Sequence, residues 1–185
     1  DVAGYDNIDG VRGAYGGVVF YRDPNRMSAG TEHSLFTTGD MLLQAMELYS
    51  YRDTLTGDLD AGLHFTDEAA PDDWVWANPV TVYFGQKTTS FTYADGDNLY
   101  FAGQYGSTLI DGTTGEPVGF TNVLVLSTTI TQVDDYGRLA VDMTGSGSGF
   151  LFRDGRMVEI SWSRSAEGEA FSVMGAVAYF NTVSL

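Results

Sequence analysis

Short runs of β-branched and aromatic residues, separated at close intervals by glycine, asparagine and aspartate, fill residues 80–182 of this 185-residue chain. In 138–143 and 157–162, apolar side chains at every second position alternate with residues that, apart from Met157, are polar or small, the period of a half-buried strand. Between two such runs lies Arg153-Asp154-Gly155-Arg156, and Asp-Gly accepts the positive φ angles of a type I′ hairpin turn. These patterns predict a meandering antiparallel sheet with strands at 80–85, 89–94, 98–104, 119–131, 137–144, 148–153, 156–163 and 170–182.

Two further patterns refine this prediction. Residues 134–137, Asp-Asp-Tyr-Gly, are typical of a second, looser hairpin. The run 123–126 is apolar at every position, which indicates a central strand buried on both faces.

One segment has helical periodicity instead. Its apolar residues recur at i, i+3, i+4 and i+7 and form one stripe: Leu42, Ala45, Met46 and Tyr49. Thr38 or Asp40 stands where an N-cap is needed. We predict a helix at about 39–51 that packs on the sheet, and therefore an α+β fold that is predominantly antiparallel sheet.

The domain organisation follows from these elements. Residues 1–79 carry the helix and an acidic, turn-rich surface connection at 53–79, and we expect them to pack on the sheet. Residues 80–185 form the β-rich portion, and we predict one globular unit. The acidic side chains of the connection include Asp58, Asp60, Asp67, Glu68, Asp72 and Asp73.

The charge balance excludes some partners. Nine Lys and Arg stand against 25 Asp and Glu, a formal net charge of −16, so a broad positive face for nucleic acid or an anionic membrane is not expected. Cysteine is absent, which excludes thiol nucleophiles, zinc–cysteine sites and disulfides. No apolar run approaches the ~18 residues of a membrane span.

Three motifs resemble ligand sites only superficially. Gly145-Ser146-Gly147-Ser148-Gly149 precedes a strand and lacks the Gly-Lys-Ser/Thr ending of a phosphate loop, so we interpret it as a tight connection between strands. Asp95-Gly96-Asp97-Asn98 lacks the remaining ligands of a calcium loop and indicates a hairpin turn. His33 and His64 have no informative spacing, and we expect neither a metal nor a cofactor.

Two clusters are candidate binding sites. Arg22, Asp23, Arg26 and His33 flank a proline turn. They form either a charge-assisted cluster that fixes the loop, which we favour, or an anion or carboxylate site.

The second cluster is aromatic. Trp74 and Trp76 flank one valine and would point the same way in an extended chain. They either cover the end of the core, which we favour, or form plates for a sugar or peptide. Tyr83 is a third aromatic candidate, and the binding hypothesis weakens if all three rings are buried.

Several short motifs, in order along the chain, resemble the C-terminal domain of the YerB-like bacterial lipoproteins, a family built from a domain of unknown function (DUF3048). The later ones are Asn122-Val123-Leu124-Val125, Asp135-Tyr136-Gly137-Arg138, Gly145-Ser146-Gly147, Phe152-Arg153-Asp154-Gly155-Arg156 and Trp162-Ser163-Arg164. The earlier ones are Ile8-Asp9-Gly10, Phe20-Tyr21-Arg22-Asp23 with Arg26, and His33-Ser34-Leu35-Phe36-Thr37. The family's usual Pro-His-Asn is Glu32-His33-Ser34 here.

The resemblance implies an extracytoplasmic location, with a lipidated cysteine upstream of this fragment as the only link to the membrane. It implies that the chain is the second half of a longer lipoprotein, and it carries no established reaction. We therefore expect a non-enzymatic module that binds a small ligand, such as a cell-wall fragment, or an envelope protein. The alternative is a cell-wall-directed hydrolase or transferase that uses the Arg/His/Asp site.

Overall fold

The computed structural model describes residues 19–54, 62–85, 87–167, 169–175 and 179–181. Asp58 and Asp60 of the acidic connection, and the motif at 8–10, lie outside the described residues. The chain divides into two compact units, Asp1–Leu59 and Asp60–Leu185. The division precedes residue 80 because strands at 64–66 and 75–76 pair with strands from the end of the chain.

The first unit contains the predicted helix. Strand β1 (Tyr21–Arg22) pairs antiparallel with β2 (Leu35–Phe36), and two 3₁₀ helices, Pro24–Ala29 and Thr31–Ser34, connect them. Helix α1 (Gly39–Leu48) follows. The Thr38 side chain caps it by accepting the Met41 N–H at 3.2 Å, as predicted.

Helix α1 ends three residues earlier than the periodicity indicates. Ser50 adopts a positive φ of 54°, and the Tyr51 N–H donates back to the Met46 carbonyl at 2.8 Å. The hydrogen bond closes the last turn of the helix, and the positive φ of Ser50 directs the chain away from the helix axis.

The second unit is rich in strands. They are β3 (His64–Thr66), β4 (Val75–Trp76), β5 (Val80–Phe84), β6 (Lys87–Ala94), β7 (Leu99–Gln104), β8 (Ser107–Thr108), β9 (Gly119–Phe120), β10 (Asn122–Leu126), β11 (Ile130–Gln132), β12 (Leu139–Val141), β13 (Gly145–Arg153), β14 (Arg156–Arg164), β15 (Ser172–Met174) and β16 (Tyr179–Asn181). The pairs are antiparallel apart from β3 with β16, which is parallel. The prediction of a predominantly antiparallel α+β fold is confirmed.

Two five-stranded sheets form the body of this unit. The first sheet has the order β10-β13-β14-β15, and β4 also pairs with β14. The second sheet has the order β5-β6-β7-β8, and β9 also pairs with β7. The predicted run 119–131 is thus three strands, β9, β10 and β11, because the chain passes from the second sheet to the first within it.

The first sheet carries apolar side chains on both faces. One face meets the second sheet through a cluster of Val80, Tyr93, Tyr100, Val123 and Phe152. The opposite face packs on a cluster of Ala70, Trp74, Leu151, Ile160 and Phe180. Since each fully buried large apolar side chain stabilises a fold by about 1.5–3 kcal/mol, both layers are needed to hold this sheet.

Strand β10 contributes to both clusters, because Val123 belongs to the first and Leu124 packs against the second. Apolar contact on both sides is therefore confirmed for this strand, although Val123 is its one buried residue and the others are half-buried. Its predicted central position is wrong, because β10 stands at the end of the strand order and pairs with β13 alone among the described residues.

The motif Gly-Ser-Gly-Ser-Gly is the first half of β13, so its interpretation as a connection is wrong. A Cβ atom on Gly147 would lie 2.6 Å from Nε1 of Trp162, the residue paired with Gly147 across the ladder. The glycine thus lets the indole lie against the strand and donate to the Ser127 carbonyl at 3.0 Å. Ser146 and Ser148 turn to the other face, where they are exposed.

Both hairpin predictions near the end of the chain are confirmed. Strands β11 and β12 pair around 134–137, with Gly137 at a φ of 81°. Strands β13 and β14 pair from Arg153 and Arg156 outward. Asp154 and Gly155 have φ angles of 52° and 72°, as a type I′ turn requires.

The hairpin turn at 153–156, between β13 and β14, attaches the segment 69–77 to the first sheet. Arg153 is 2% exposed; its guanidinium lies 5.2 Å over the Trp74 ring and donates to the Ala69 carbonyl at 3.2 Å. A carboxylate oxygen of Asp154 accepts the Ala70 N–H at 2.7 Å. The Asp154 carboxylate thereby satisfies a backbone N–H of the buried Ala70 that would otherwise lack a partner.

The next two residues complete the attachment. The Arg156 guanidinium donates to the carbonyls of Asp72 at 2.9 Å and Trp74 at 3.2 Å. The Gly155 carbonyl accepts the Ala77 N–H at 2.9 Å. Four consecutive residues therefore hold one segment by backbone and side-chain bonds, and we call 153–156 the hairpin clamp.

The clamp generates a stability prediction. Asp154→Ala removes the acceptor for the Ala70 N–H and places alanine at a positive φ, so we expect a loss of about 2 kcal/mol in the free energy of unfolding. The midpoint of urea denaturation measures this loss. Asp97→Ala, in the exposed turn between β6 and β7, is the control and should change stability by less than about 0.5 kcal/mol. Equal midpoints for the two variants would contradict the clamp.

Candidate functional site

The loop residues Arg22 and Asp23 are engaged within their own loop. A carboxylate oxygen of Asp23 accepts the backbone N–H of Asn25 at 2.9 Å and the side-chain amide of Asn25 at 3.1 Å. The Arg22 guanidinium donates to the Thr31 carbonyl and lies 3.4 Å from the Ser34 hydroxyl. These contacts are those of a charge-assisted cluster that fixes the turn between β1 and β2.

The other two members of this cluster lie nearby. The Arg26 guanidinium stands 5.8 Å over the Phe36 ring, a cation–π distance. His33 is exposed, in the second 3₁₀ helix. An anion site at these residues stays a prediction.

Trp74 and Trp76 do not form a common exposed surface. Trp74 is 6% exposed in the core beneath Arg153. Trp76 is 59% exposed, packs edge-on against Tyr93 with centroids 6.1 Å apart, and lies over Gly155, where a Cβ atom would come within 2.5 Å of its ring. Trp74 therefore covers the core, as favoured, while Trp76 remains accessible beside the hairpin clamp.

Two observations concern metals and membranes. Within the part of the chain that the structure describes, no three His, Asp or Glu side chains come together as a metal site would require. In the same residues, no helix combines the length and the apolar character needed to cross a bilayer.

An apolar opening lies between the two sheets of the second unit, and sequence reasoning did not find it. It consists of two adjoining pockets of about 240 and 520 Å³, and Val82 and Val125 line both. We call this the interlayer cleft. Its other lining residues are Phe84, Thr89, Phe91, Val123, Leu124 and Leu126 in the smaller pocket, and Ala77, Pro79, Val80, Thr81, Tyr83, Phe150, Phe152 and Met157 in the larger.

Strand β5 borders the cleft, and Asn78 fixes where that strand begins. The Asn78 side chain donates to the Tyr93 carbonyl at 3.0 Å and accepts the Tyr93 N–H at 2.9 Å. The Asn78 side chain thus makes the two hydrogen bonds that the backbone of a paired residue would make with Tyr93 near the end of β6. The strand that follows presents Tyr83, 74% exposed, and Phe84, 56% exposed.

The signal for this site was present in the sequence but not decisive. Val80-Thr81-Val82-Tyr83-Phe84 is uncharged, and a glycine follows it. Such a run is typical of a strand, but its periodicity does not show whether another strand covers it. Only Tyr83 was singled out as a candidate.

Two buried tyrosines lie in the apolar cluster behind the cleft, with ring centroids 5.0 Å apart. The Tyr93 hydroxyl donates to the Asn98 side-chain oxygen at 2.7 Å. The Tyr100 side chain is fully buried, and its hydroxyl, although near the Gly155 backbone, makes no hydrogen bond of ordinary geometry.

Burial is the main cause that raises the pKa of both tyrosines above the ordinary 10.0, and the charge of Asp154 adds to it. For Tyr100, the Gly155 backbone partly opposes this rise in pKa. Both phenols are therefore held in the neutral form, which the apolar surroundings favour.

Stability should consequently depend on alkaline pH. Because the folded state raises both tyrosine pKa values, their contribution is fully present below pH 10.0 and is lost as the pH rises above it. Tyr100→Phe should flatten this loss in urea titrations between about pH 8 and 11, without reducing stability at neutral pH, because the hydroxyl it removes is unpaired.

The exposed Tyr83→Phe is the control for this experiment, and it should leave the alkaline slope unchanged. An identical slope in the wild type and in Tyr100→Phe would show that Tyr100 does not cause the dependence.

Comparisons with known proteins agree with this fold. A protein from Bacillus subtilis (strain 168) named "Putative lipoprotein YerB" is 25% identical over 136 residues, which cover 71% of this chain and 40% of that protein. The crystal structure of YerB from Bacillus subtilis has a TM-score of 0.64 and 20% identity, and the match covers 90% of this chain and 56% of that one. The chain therefore spans about half or less of the length of these relatives.

The family model described as "Protein of unknown function (DUF3048) C-terminal domain" matches residues 80–181. This match includes both five-stranded sheets apart from β4, the hairpin clamp and the strands that border the interlayer cleft. The chain belongs to the DUF3048 family through this C-terminal domain.

Proposed function

We propose that this chain is a non-enzymatic binding module of an extracytoplasmic lipoprotein, and that it holds an apolar ligand, or an apolar part of an envelope protein, in the interlayer cleft. The observation that carries the proposal is the lining of the cleft. Each described lining side chain is apolar or bears only a hydroxyl group. A concave surface of this kind gains affinity from the area that it removes from water.

The same lining supports binding rather than reaction. General acid–base chemistry needs a group that exchanges protons near neutral pH and reaches the substrate. The described lining residues include no carboxylate, imidazole or amine, and Tyr83 is the one titratable side chain among them.

The proposed extracytoplasmic location is inferred from the similar Bacillus subtilis protein, and the cleft does not bear on it. The similar Bacillus subtilis protein is named a lipoprotein, and a chain without cysteine has no thiol that could mispair in an oxidising compartment. In the full-length protein, a lipidated cysteine upstream of this fragment would hold the domain at the outer face of the cell membrane.

A cell-wall-directed hydrolase or transferase is the alternative. It would have to use Arg22, Asp23, Arg26 and His33, of which the first three contact groups within their own loop. This geometry supplies no specific argument for a reaction at these residues.

Binding of the neutral apolar dye Nile red tests the proposal. The wild type should bind the dye with a fluorescence increase and a blue shift. Val82→Asp places a charge where both pockets meet, so we expect the affinity to fall more than about tenfold. Val82→Thr should keep the strand intact and weaken binding about fivefold, since it exchanges one methyl group for a hydroxyl.

The matched control is Val141→Asp in β12, a half-exposed strand valine outside the lining. It should bind the dye like the wild type. Equal affinities in all three variants, with unchanged melting temperatures, would contradict binding in the cleft.

A further inference from the structure

Strand β5 forms the outer edge of the second sheet. Among the described residues it pairs with β6 and with no other strand. Its five residues include no charged residue and no proline, so the edge lacks the features by which sheet proteins commonly prevent pairing with another chain. An accessible edge of this composition is a template for one more strand.

The register shows which backbone groups of β5 face outward. Phe84 and Lys87 flank the two-residue connection between β5 and β6, and the pair that flanks such a connection exchanges both hydrogen bonds. Bonded and non-bonded pairs alternate along an antiparallel ladder. Thr81 and Tyr83 therefore direct their N–H and C=O groups away from β6, toward the open side.

The interlayer cleft lies directly beside these groups. Thr81 and Tyr83 line its larger pocket, which also exposes the apolar side chains of Val125 and Phe150. A strand added to β5 would project every second side chain toward this surface. Backbone bonds at the edge and apolar contacts in the cleft would thus act on the same segment.

Charge indicates the character of the occupant. The chain carries a formal net charge of −16, so a second copy of it would be repelled. Exposed Glu159 pairs with Phe150 across the ladder, and directly paired residues share one face of a sheet. The same rule places Lys87 on the face of Phe84, so cationic residues beside an apolar segment would be attracted by the net charge and to the part of the rim near Glu159.

We propose that the occupant of the interlayer cleft is an extended segment of a basic polypeptide, which adds to the outer edge of β5 as a further strand and places alternate apolar side chains in the cleft. This inference rests on the proposed binding function and specifies its partner.

Synthetic peptides test the inference with the protein as it is. The first is Lys-Lys-Val-Thr-Val-Thr-Val-Lys-Lys, the second has glutamate in place of each lysine, and the third is the lysine peptide with methyl groups on all backbone nitrogens of its central five residues. We expect the lysine peptide to bind with a dissociation constant below about 1 mM, and each of the others to bind at least about tenfold more weakly at low ionic strength.

Hydrogen exchange locates the bound peptide. The lysine peptide should slow the exchange of the Thr81 and Tyr83 amides, because it supplies acceptors for them. Thr81→Pro removes one outward donor at an edge position that tolerates proline, so it should weaken peptide binding about tenfold. Thr81→Ala keeps the N–H and removes only side-chain contacts in the larger pocket, so it should weaken peptide binding clearly less than Thr81→Pro does.

The outcomes separate this inference from the proposed function. If Nile red binds in the cleft but the lysine and backbone-methylated peptides bind equally, or neither binds, strand addition is overturned and the binding function stands. If neither the dye nor any peptide binds, both proposals are overturned. The methylated peptide keeps the test decisive even if Thr81→Pro does not fold.

Discussion

The hairpin clamp at 153–156 is the constraint on which the rest of the second unit depends. Arg153 and Asp154 hold the backbone of Ala69 and Ala70, and this attachment brings Trp74 onto the outer face of the first sheet. On the other face, Gly155 lies against the rings of Trp76 and Tyr93. One four-residue turn thus connects both apolar clusters. Its sequence is restricted because the turn needs positive φ angles, a carboxylate and a guanidinium at successive positions.

The interlayer cleft follows from how the two sheets meet. Tyr93 and Tyr100 fill the space between the sheets on one side, where burial keeps both phenols neutral. Beside β5 and β10 the two pockets lie between the sheets, and most of the apolar side chains there remain partly accessible. The second unit therefore has a buried apolar cluster between its sheets and, beside it, an opening with a lining of the same apolar chemistry.

Local structure was largely predictable from the sequence. The hairpin at Asp154-Gly155, the turn at 134–137 and the helix capped by Thr38 all follow from interactions within a few residues, which propensity and periodicity report. Two predictions were wrong because each depended on which strands pair in the folded chain, and the local sequence does not show this pairing. The Gly-Ser-Gly-Ser-Gly motif, interpreted as a connection, is a strand because it pairs with β14, where Trp162 lies against Gly147 and Ile160 against Gly149. Strand β10, read as central, stands at the end of its sheet.

The sequence by itself determined the family motifs, the acidic charge, the strand-rich class and most turn positions, because these depend on residue type and short spacing. The tertiary structure alone decided that Trp74 is buried beneath Arg153 while Trp76 is exposed, although only one residue separates them. It also decided that Val82 and Val125, which lie far apart in the chain, line one cleft. The physical reason is that burial and strand order depend on which distant segments pack together. The hydrophobic effect is non-directional and acts equally between segments that are near or far apart in the chain, so local periodicity does not show which of them meet.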